Sequence, residues 1–239
     1  MNERGQFDWN TKIRSMFATI ASRYDLMNSL MTFGRDQAWR RKVVYMADLP
    51  PGGRLLDIGT GTGNIALEAV KSDQSLKVAA ADLTPEMIRV GMRRAEANRV
   101  MWCCANALEL PFADGVFDGV TSGYLIRNVP DISLAFKEQL RVVKPGGKVV
   151  CLDTSPPPDS LLRIFVLFHL KVVIPLLGGL ISGNREAYRY LPESTQKFKT
   201  PKELAEIMRQ VGFENITVKR LMLGTMGIVC GIRPRGETS

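Results

Sequence analysis

Between residues 54 and 152 short apolar runs alternate with longer stretches of mixed character. Residues 54–58, 77–81, 100–105, 117–122 and 148–152 are rich in Val, Leu, Ala and Ile, with the length and composition of buried strands. Residues 64–71, 85–98 and 133–143 carry apolar positions at helical spacing. Thr84-Pro85 suits a helix start, and Lys144-Pro145-Gly146-Gly147 a helix stop. Strands that alternate with helices predict an α/β fold, a doubly wound, mostly parallel sheet with crossover helices on its faces. Ahead of it, residues 13–28 and a basic stretch at 35–46 read as helices, closed off by Pro50-Pro51-Gly52-Gly53. After Pro156-Pro157-Pro158 the chain turns apolar, then offers a helix at 202–211 and strands at 216–221 and 227–231. The expected organisation is one domain over residues 1–239: a helical cap at 1–50, a ligand-binding core at 51–155, an apolar substrate cap at 156–200, and a C-terminal helix and strands at 201–239.

The apolar stretch at 161–182 has the length of a bilayer-crossing helix, but Arg163, His169 and Lys171 lie inside it and Pro175 breaks it. A spanning helix is therefore not predicted. Two readings stay open: a helix buried against the sheet, or an apolar lid that holds a greasy substrate. The 239 residues are 45% hydrophobic, enough for a sizeable core. Lys and Arg number 32 against 24 Asp and Glu, a net charge of +8, so an anionic partner is considered, either nucleic acid or a membrane face. No nucleic-acid signature accompanies the charge, and Arg89, Arg93 and Arg94 on one helix read equally as a solvated face.

The single histidine, His169, argues against His-rich metal sites and leaves a Ser-His-Asp triad dependent on one residue; no metal is expected. Cys103, Cys104, Cys151 and Cys230 contain no C-x-x-C pair and read as buried small hydrophobes in a reducing compartment. The polar N-terminus lacks the apolar core of a secretion signal, so a cytoplasmic protein is expected.

A glycine-rich turn sits where the first strand gives way to a helix: Asp57-Ile58-Gly59-Thr60-Gly61-Thr62-Gly63-Asn64. Ligands of such sheets bind beyond the carboxyl ends of the strands. The turn also fits the dinucleotide pattern, with Asp82 near the expected ~20 residues downstream. Asp57 separates the two cofactor classes. An acid two residues before the first glycine opposes a pyrophosphate but suits a cationic amino group, as in S-adenosylmethionine. Asp82 can accept both hydroxyls of a ribose, and the amide of Asn106 can read an adenine edge. Acid, glycines, acid and amide at successive strand ends fit S-adenosylmethionine.

The chain resembles the class I methyltransferases, and specifically the ubiquinone/menaquinone biosynthesis C-methyltransferases. The likeness spans roughly residues 13–231. It rests on Tyr24-Asp25-Leu26-Met27-Asn28, Trp39-Arg40-Arg41, Ile126-Arg127-Asn128-Val129, the Lys-Pro-Gly-Gly run and Tyr188-Arg189-Tyr190-Leu191. The glycine turn is common to many methyltransferases; the Tyr-Asp-x-Met-Asn, Ile-Arg-Asn-Val and Tyr-Arg-Tyr-Leu segments are far more specific. By resemblance, the cofactor set is Thr62, Asp82 with Leu83, Asn106 with Ala107, and Gly123, beside Asp57, Gly59 and Gly61, with Tyr24 as a lid residue. Departures stand at Asn64, where the family usually has Asp, at Leu125, at Asp153, and at Val229.

The resemblance implies methyl transfer to a ring carbon of a polyprenylated quinol, with demethylmenaquinol the favoured acceptor and S-adenosylhomocysteine the second product. Arg127 is the expected cation beside the phenol, unless it pairs with Asp131. Asn128 would orient the ring oxygens, Tyr124 stack or hydrogen-bond there, and Asp153 accept a proton. His169 is a further candidate, with packing the alternative. A membrane-held substrate places the enzyme at an anionic membrane surface, on its inner face and without an anchor, and a homodimer is also considered. Other readings weighed are a methyltransferase for another small molecule or lipid headgroup, and an NAD-dependent oxidoreductase.

Overall fold

The computed structural model describes residues 3–157, 163–168, 172–173, 176, 190 and 193–236, with the backbone alone at 3–7 and 164–166. Three helices come first: α1 (Glu3–Ile20), α2 (Tyr24–Met31) and α3 (Asp36–Ala47). The sheet follows, with β1 (Arg54–Ile58), β2 (Lys77–Asp82), β3 (Val100–Cys104), β4 (Phe117–Gly123) and β5 (Val143–Thr154) all running parallel. Helices α4 (Asn64–Ser72), α5 (Pro85–Gly91) and α6 (Ile132–Val142) lie on the crossovers. After α7 (Arg163–Phe168) and α8 (Pro201–Val211), β6 (Glu214–Leu221) and β7 (Met226–Ile232) close the chain. The seven strands take the order β3-β2-β1-β4-β5-β7-β6, and β7 inserts antiparallel between β5 and the edge strand β6. This is the doubly wound, mostly parallel sheet that the alternating pattern predicts.

Strand alternation divides the core into two layers. Leu55 faces Val43, Val44, Ile65 and Val70 of α3 and α4, while Leu56 faces Phe136 of α6 and Leu204 and Met208 of α8. Both leucines are fully buried, and each contributes on the order of 2 kcal/mol. Helix α8 shows why its sequence is helical at that place. Thr200 and Glu203 form a reciprocal capping box, Pro201 occupies the first turn, and Gly212 ends the helix at φ 113°.

Several boundaries differ from the sequence reading. The opening helix begins at Glu3 rather than residue 13 and breaks at Ala21–Arg23, which lets Ile20 and Met27 bury in the same small cluster. The helix expected to reach residue 98 stops at Gly91, because Trp102 packs against that glycine and Glu96 takes a left-handed turn. Cys104 is exposed and Cys103 half-buried, since β3 is an edge strand; Cys151 and Cys230 are buried as expected. Among the described residues no helix is long and apolar enough to cross a membrane. Most of the 161–182 stretch, including His169, lies outside the described residues.

Candidate active site

The carboxyl ends of β1, β2 and β4 open into a cleft of about 680 Å³, walled by the β1–α4 turn, Asp82, Leu83, Asn106, Ala107, Gly123 and the apolar face of α1. The turn has glycines for a steric reason. Gly59 sits at φ 61°, and a Cβ there would stand 2.7 Å from the Leu125 side chain; Gly63 sits at φ 80° with Trp102 only 2.3 Å from the same position. Asp82 is fixed by two backbone donors. Its Oδ2 accepts from Gly61 N at 2.7 Å and its Oδ1 from Thr84 N at 2.8 Å. Burial pushes its carboxyl above the usual range, and the two N–H groups oppose that shift. Asn106 Oδ1 accepts from Leu108 N at 3.1 Å, which fixes the amide and leaves its N–H₂ as the unused donor.

A second cavity of about 330 Å³ lies across the same turn and shares Tyr24, Gly59, Gly61, Gly123 and Tyr124 with the first. Asp57 and Arg40 both line it. Asp57 is 1% exposed, accepts from Thr60 Oγ1 at 2.5 Å and from Thr121 Oγ1 at 2.9 Å, and is pushed up to about 6 by burial against the pull of those hydroxyls. Arg40 is buried and pairs with Asp36 at 3.0 Å. The sequence reading quotes Arg40 only within a motif; the Asp36–Arg40 spacing of one helical turn is the signal that marks it as a fixed cation.

Beyond the turn stand the residues expected to meet the acceptor. Tyr124 adopts φ 60°, an uncommon conformation for a non-glycine residue, and its ring centroid lies 5.4 Å from Arg127 Cζ. Arg127 does not pair with Asp131, which instead caps α6 by accepting from Leu134 N. Its Nη1 reaches Asp153 Oδ1 at 2.7 Å and its backbone N reaches Asp153 Oδ2 at 3.2 Å. Burial works against the Arg127 charge, but Asp153, Tyr24 and Tyr124 together outweigh it and the guanidinium is raised. Tyr124 Oη and Arg127 Nε are buried without a hydrogen-bond partner among the described residues. Native proteins rarely leave such groups unmatched, so both are candidates to meet a ligand.

Asn128 is engaged from three sides. Its Nδ2 donates to the Tyr124 carbonyl at 2.9 Å, its Oδ1 accepts from Tyr190 Oη at 3.1 Å, and its carbonyl accepts from Trp9 Nε1 at 2.8 Å. Tyr24, Gly59, Gly61, Asp82, Leu83, Asn106, Ala107, Gly123, Tyr124 and Asn128 all line the larger cleft. Thr62 lines neither cavity; it is fully buried and its hydroxyl donates to Asp25. Arg127 and Asp153 stand behind the lining, linked to it through Tyr124 and Asn128. Asn10, Ile13 and Phe17 of α1, together with Met87, line the cleft without having been expected there. The apolar positions of α1 are the signal for Ile13 and Phe17, although they predict only a buried helix face.

The chain matches the model of the ubiE/COQ5 methyltransferase family over residues 7–233. It is 44% identical over 221 residues to the ubiquinone/menaquinone biosynthesis C-methyltransferase UbiE of Desulfotalea psychrophila, covering 92% of this chain and 90% of that protein. A demethylmenaquinone methyltransferase of Thermus thermophilus is 42% identical, with 92% of this chain and all of that protein covered. Among solved structures, a SAM-dependent methyltransferase from Thermotoga maritima superposes with a TM-score of 0.64 at 19% identity, covering 92% of this chain and 99% of that one, a likeness of fold.

Proposed function

Because the chain belongs to the ubiE/COQ5 methyltransferase family, we propose that it methylates a ring carbon of a polyprenylated quinol, demethylmenaquinol by preference, using S-adenosylmethionine. The observation that carries this reading is the pairing of two cavities at one glycine turn. One has a carboxylate and an amide suited to adenosine, Asp82 and Asn106; the other has a carboxylate and a cation suited to a zwitterionic amino acid, Asp57 and Arg40. When bound, the cofactor supplies an electrophilic methyl group on a sulfonium.

This chain's own residues prepare the acceptor. A quinol carbon becomes nucleophilic as its phenol gives up or shares a proton, and a phenol ordinarily ionises near pH ~10. Burial raises Tyr24 and Tyr190, and in both Arg127 is the largest opposing influence. The same guanidinium would pull down a quinol hydroxyl placed beside them. Tyr124 Oη, at the lining, is the donor for the ring oxygen, and Arg127 Nε, behind it, acts through Tyr124 or a water, while Asn128 is held as part of the wall. The α1 face carrying Ile13 and Phe17 excludes water from the reacting face. Exposed Leu26 and Leu30 on α2, together with the net charge of +8, favour contact with an anionic membrane surface where a prenylated substrate resides.

Incubation with labelled S-adenosylmethionine and, separately, reduced demethylmenaquinol or a benzoquinol precursor, followed by mass analysis, tests the reading. Label in the naphthoquinol ring is expected. No transfer to either quinol, with transfer to a lipid headgroup extract, would replace it.

A further inference from the structure

A carboxylate from the N-terminal helices reaches the back of the glycine turn. Asp25 Oδ1 accepts from Thr62 Oγ1 at 2.7 Å and from Asn64 Nδ2 at 2.6 Å, and those two donors are themselves 2.9 Å apart. Arg94 arrives from beyond α5. Its Nη1 lies 2.7 Å from Asn64 Oδ1, 3.2 Å from the Thr62 carbonyl and 3.4 Å from Asp25 Oδ2. Three parts of the chain thus close one network; of its members Asn64 lines the smaller cavity, while Asp25, Thr62 and Arg94 line neither.

What the network holds is the residue next to Asp25. Tyr24 lines both cavities, and its Cε1 lies 3.8 Å from where a Cβ on Gly61 would stand. The buried cluster of these helices is small, with Ile20 and Met27 at its centre and Phe17, Tyr24 and Met31 packed against it, and Trp9 ties α1 to the Asn128 carbonyl. The charge-assisted set of hydrogen bonds adds to this the contact that fixes the backbone of Tyr24 against the turn. Asn64 is well matched to this duty, because its amide donates to Asp25 and accepts from Arg94 at once.

We propose that Asp25, anchored by Thr62, Asn64 and Arg94, is a positioning residue that holds Tyr24 across the cofactor cleft and ties closure of the N-terminal cap to the shape of the turn. The proposal rests on the methyltransferase reading for the identity of the cofactor; the tether itself is a property of the chain. Asp25→Asn keeps an oxygen that can accept from Thr62 and Asn64, whereas Asp25→Ala removes the acceptor.

Hydrogen exchange of residues 3–31, measured alongside steady-state kinetics on the full chain, separates the outcomes. Asp25→Ala is expected to speed exchange in those residues about tenfold and raise KM for S-adenosylmethionine by a similar factor, with kcat less affected and β1 and β4 unchanged. Asp25→Asn should bring both readouts back to within about threefold of the wild type. Wild-type exchange and KM in Asp25→Ala would overturn the proposal. So would Asp25→Asn behaving like Asp25→Ala, or exchange rising in the strands as much as in the cap. A wild-type chain that transfers no methyl group would overturn the methyltransferase reading instead, and the exchange comparison would still decide the tether.

Discussion

Arg127 and Asp153 form an ion pair of 2.7 Å whose side chains are 5% and 1% exposed, joining the loop after β4 to the end of β5. The pair settles how the two residues divide their work. Asp153 takes two N–H groups from Arg127 and one from its own neighbour Thr154, so its oxygens are already well occupied. A carboxylate held in this way orients the guanidinium and neutralises it. In the proposed reaction, proton acceptance would then fall to a water or to the quinol's own surroundings.

Removing one partner of such a pair strands the other in the interior. Arg127→Ala is expected to lower unfolding free energy by about 3–5 kcal/mol, because Asp153 is left as an uncompensated buried charge. Asp153→Asn keeps an acceptor for Nη1 but leaves the buried guanidinium without its counter-charge and turns an N–H₂ toward an N–H donor, so it should be destabilising as well. Arg127→Ala should still bind S-adenosylhomocysteine, since Arg127 lines neither cavity, while its turnover falls by roughly 100-fold. Denaturant titration, calorimetry and kcat check the three parts; unchanged turnover would remove Arg127 from the chemistry.

Among the described residues Asp82 is the carboxylate that lines the larger cleft. Because Gly61 N and Thr84 N hold one lone pair on each oxygen, the remaining lone pairs are aimed and available. Asp82→Ala should weaken S-adenosylhomocysteine binding by roughly 100-fold, the loss of two hydrogen bonds to a charged acceptor. Asp82→Asn should fall between, since one end of an amide cannot accept. Isothermal calorimetry reads both directly.

The raised carboxyl of Asp57 gives a pH signature. Its folded value of about 6 lies above the ordinary aspartate value of 3.8, so the folded chain binds this proton more readily than the unfolded one. Stability from this group is therefore full below pH ~4 and declines as pH rises to ~6, by a total on the order of 3 kcal/mol. Asp57→Asn should remove that decline. Subtracting its stability profile from that of the wild type isolates the effect from the other carboxylates. A flat difference between pH 4 and 6 would show that burial does not shift Asp57.

How much of this was legible beforehand depends on the range of the interaction concerned. Period and punctuation located the strands because Leu55 and Leu56 must face opposite layers, a constraint local to the chain. Asp57, Asp82 and Asn106 are legible as candidates for the same reason, each standing at or just past a strand end. For Arg127 the sequence suggests only Asp131 as a partner and casts Asp153 as a proton acceptor, since it takes the β4–β5 pairing to bring Asp153 alongside. The break at Ala21–Arg23 and the Asp25 network are tertiary choices with no periodic signal. Trp102 likewise gave no warning that it would end α5 by packing on Gly91.

Arg40 and Asp57 both line the smaller cavity, and a cation and a carboxylate in one cavity suit the two ends of a zwitterion. An adenosine ligand that lacks the amino-acid portion should therefore be indifferent to Arg40. Arg40→Met, combined with Asp36→Asn so that no buried carboxylate is stranded, should weaken S-adenosylhomocysteine about tenfold or more. Binding of 5′-methylthioadenosine to the same variant should change by less than about twofold, because it occupies only the adenosine half. The second ligand also serves as the folding control, since an intact Asp82 and Asn106 are needed to hold it. Equal losses for both ligands would place Arg40 in the scaffold. A loss confined to S-adenosylhomocysteine would place its guanidinium at the carboxylate.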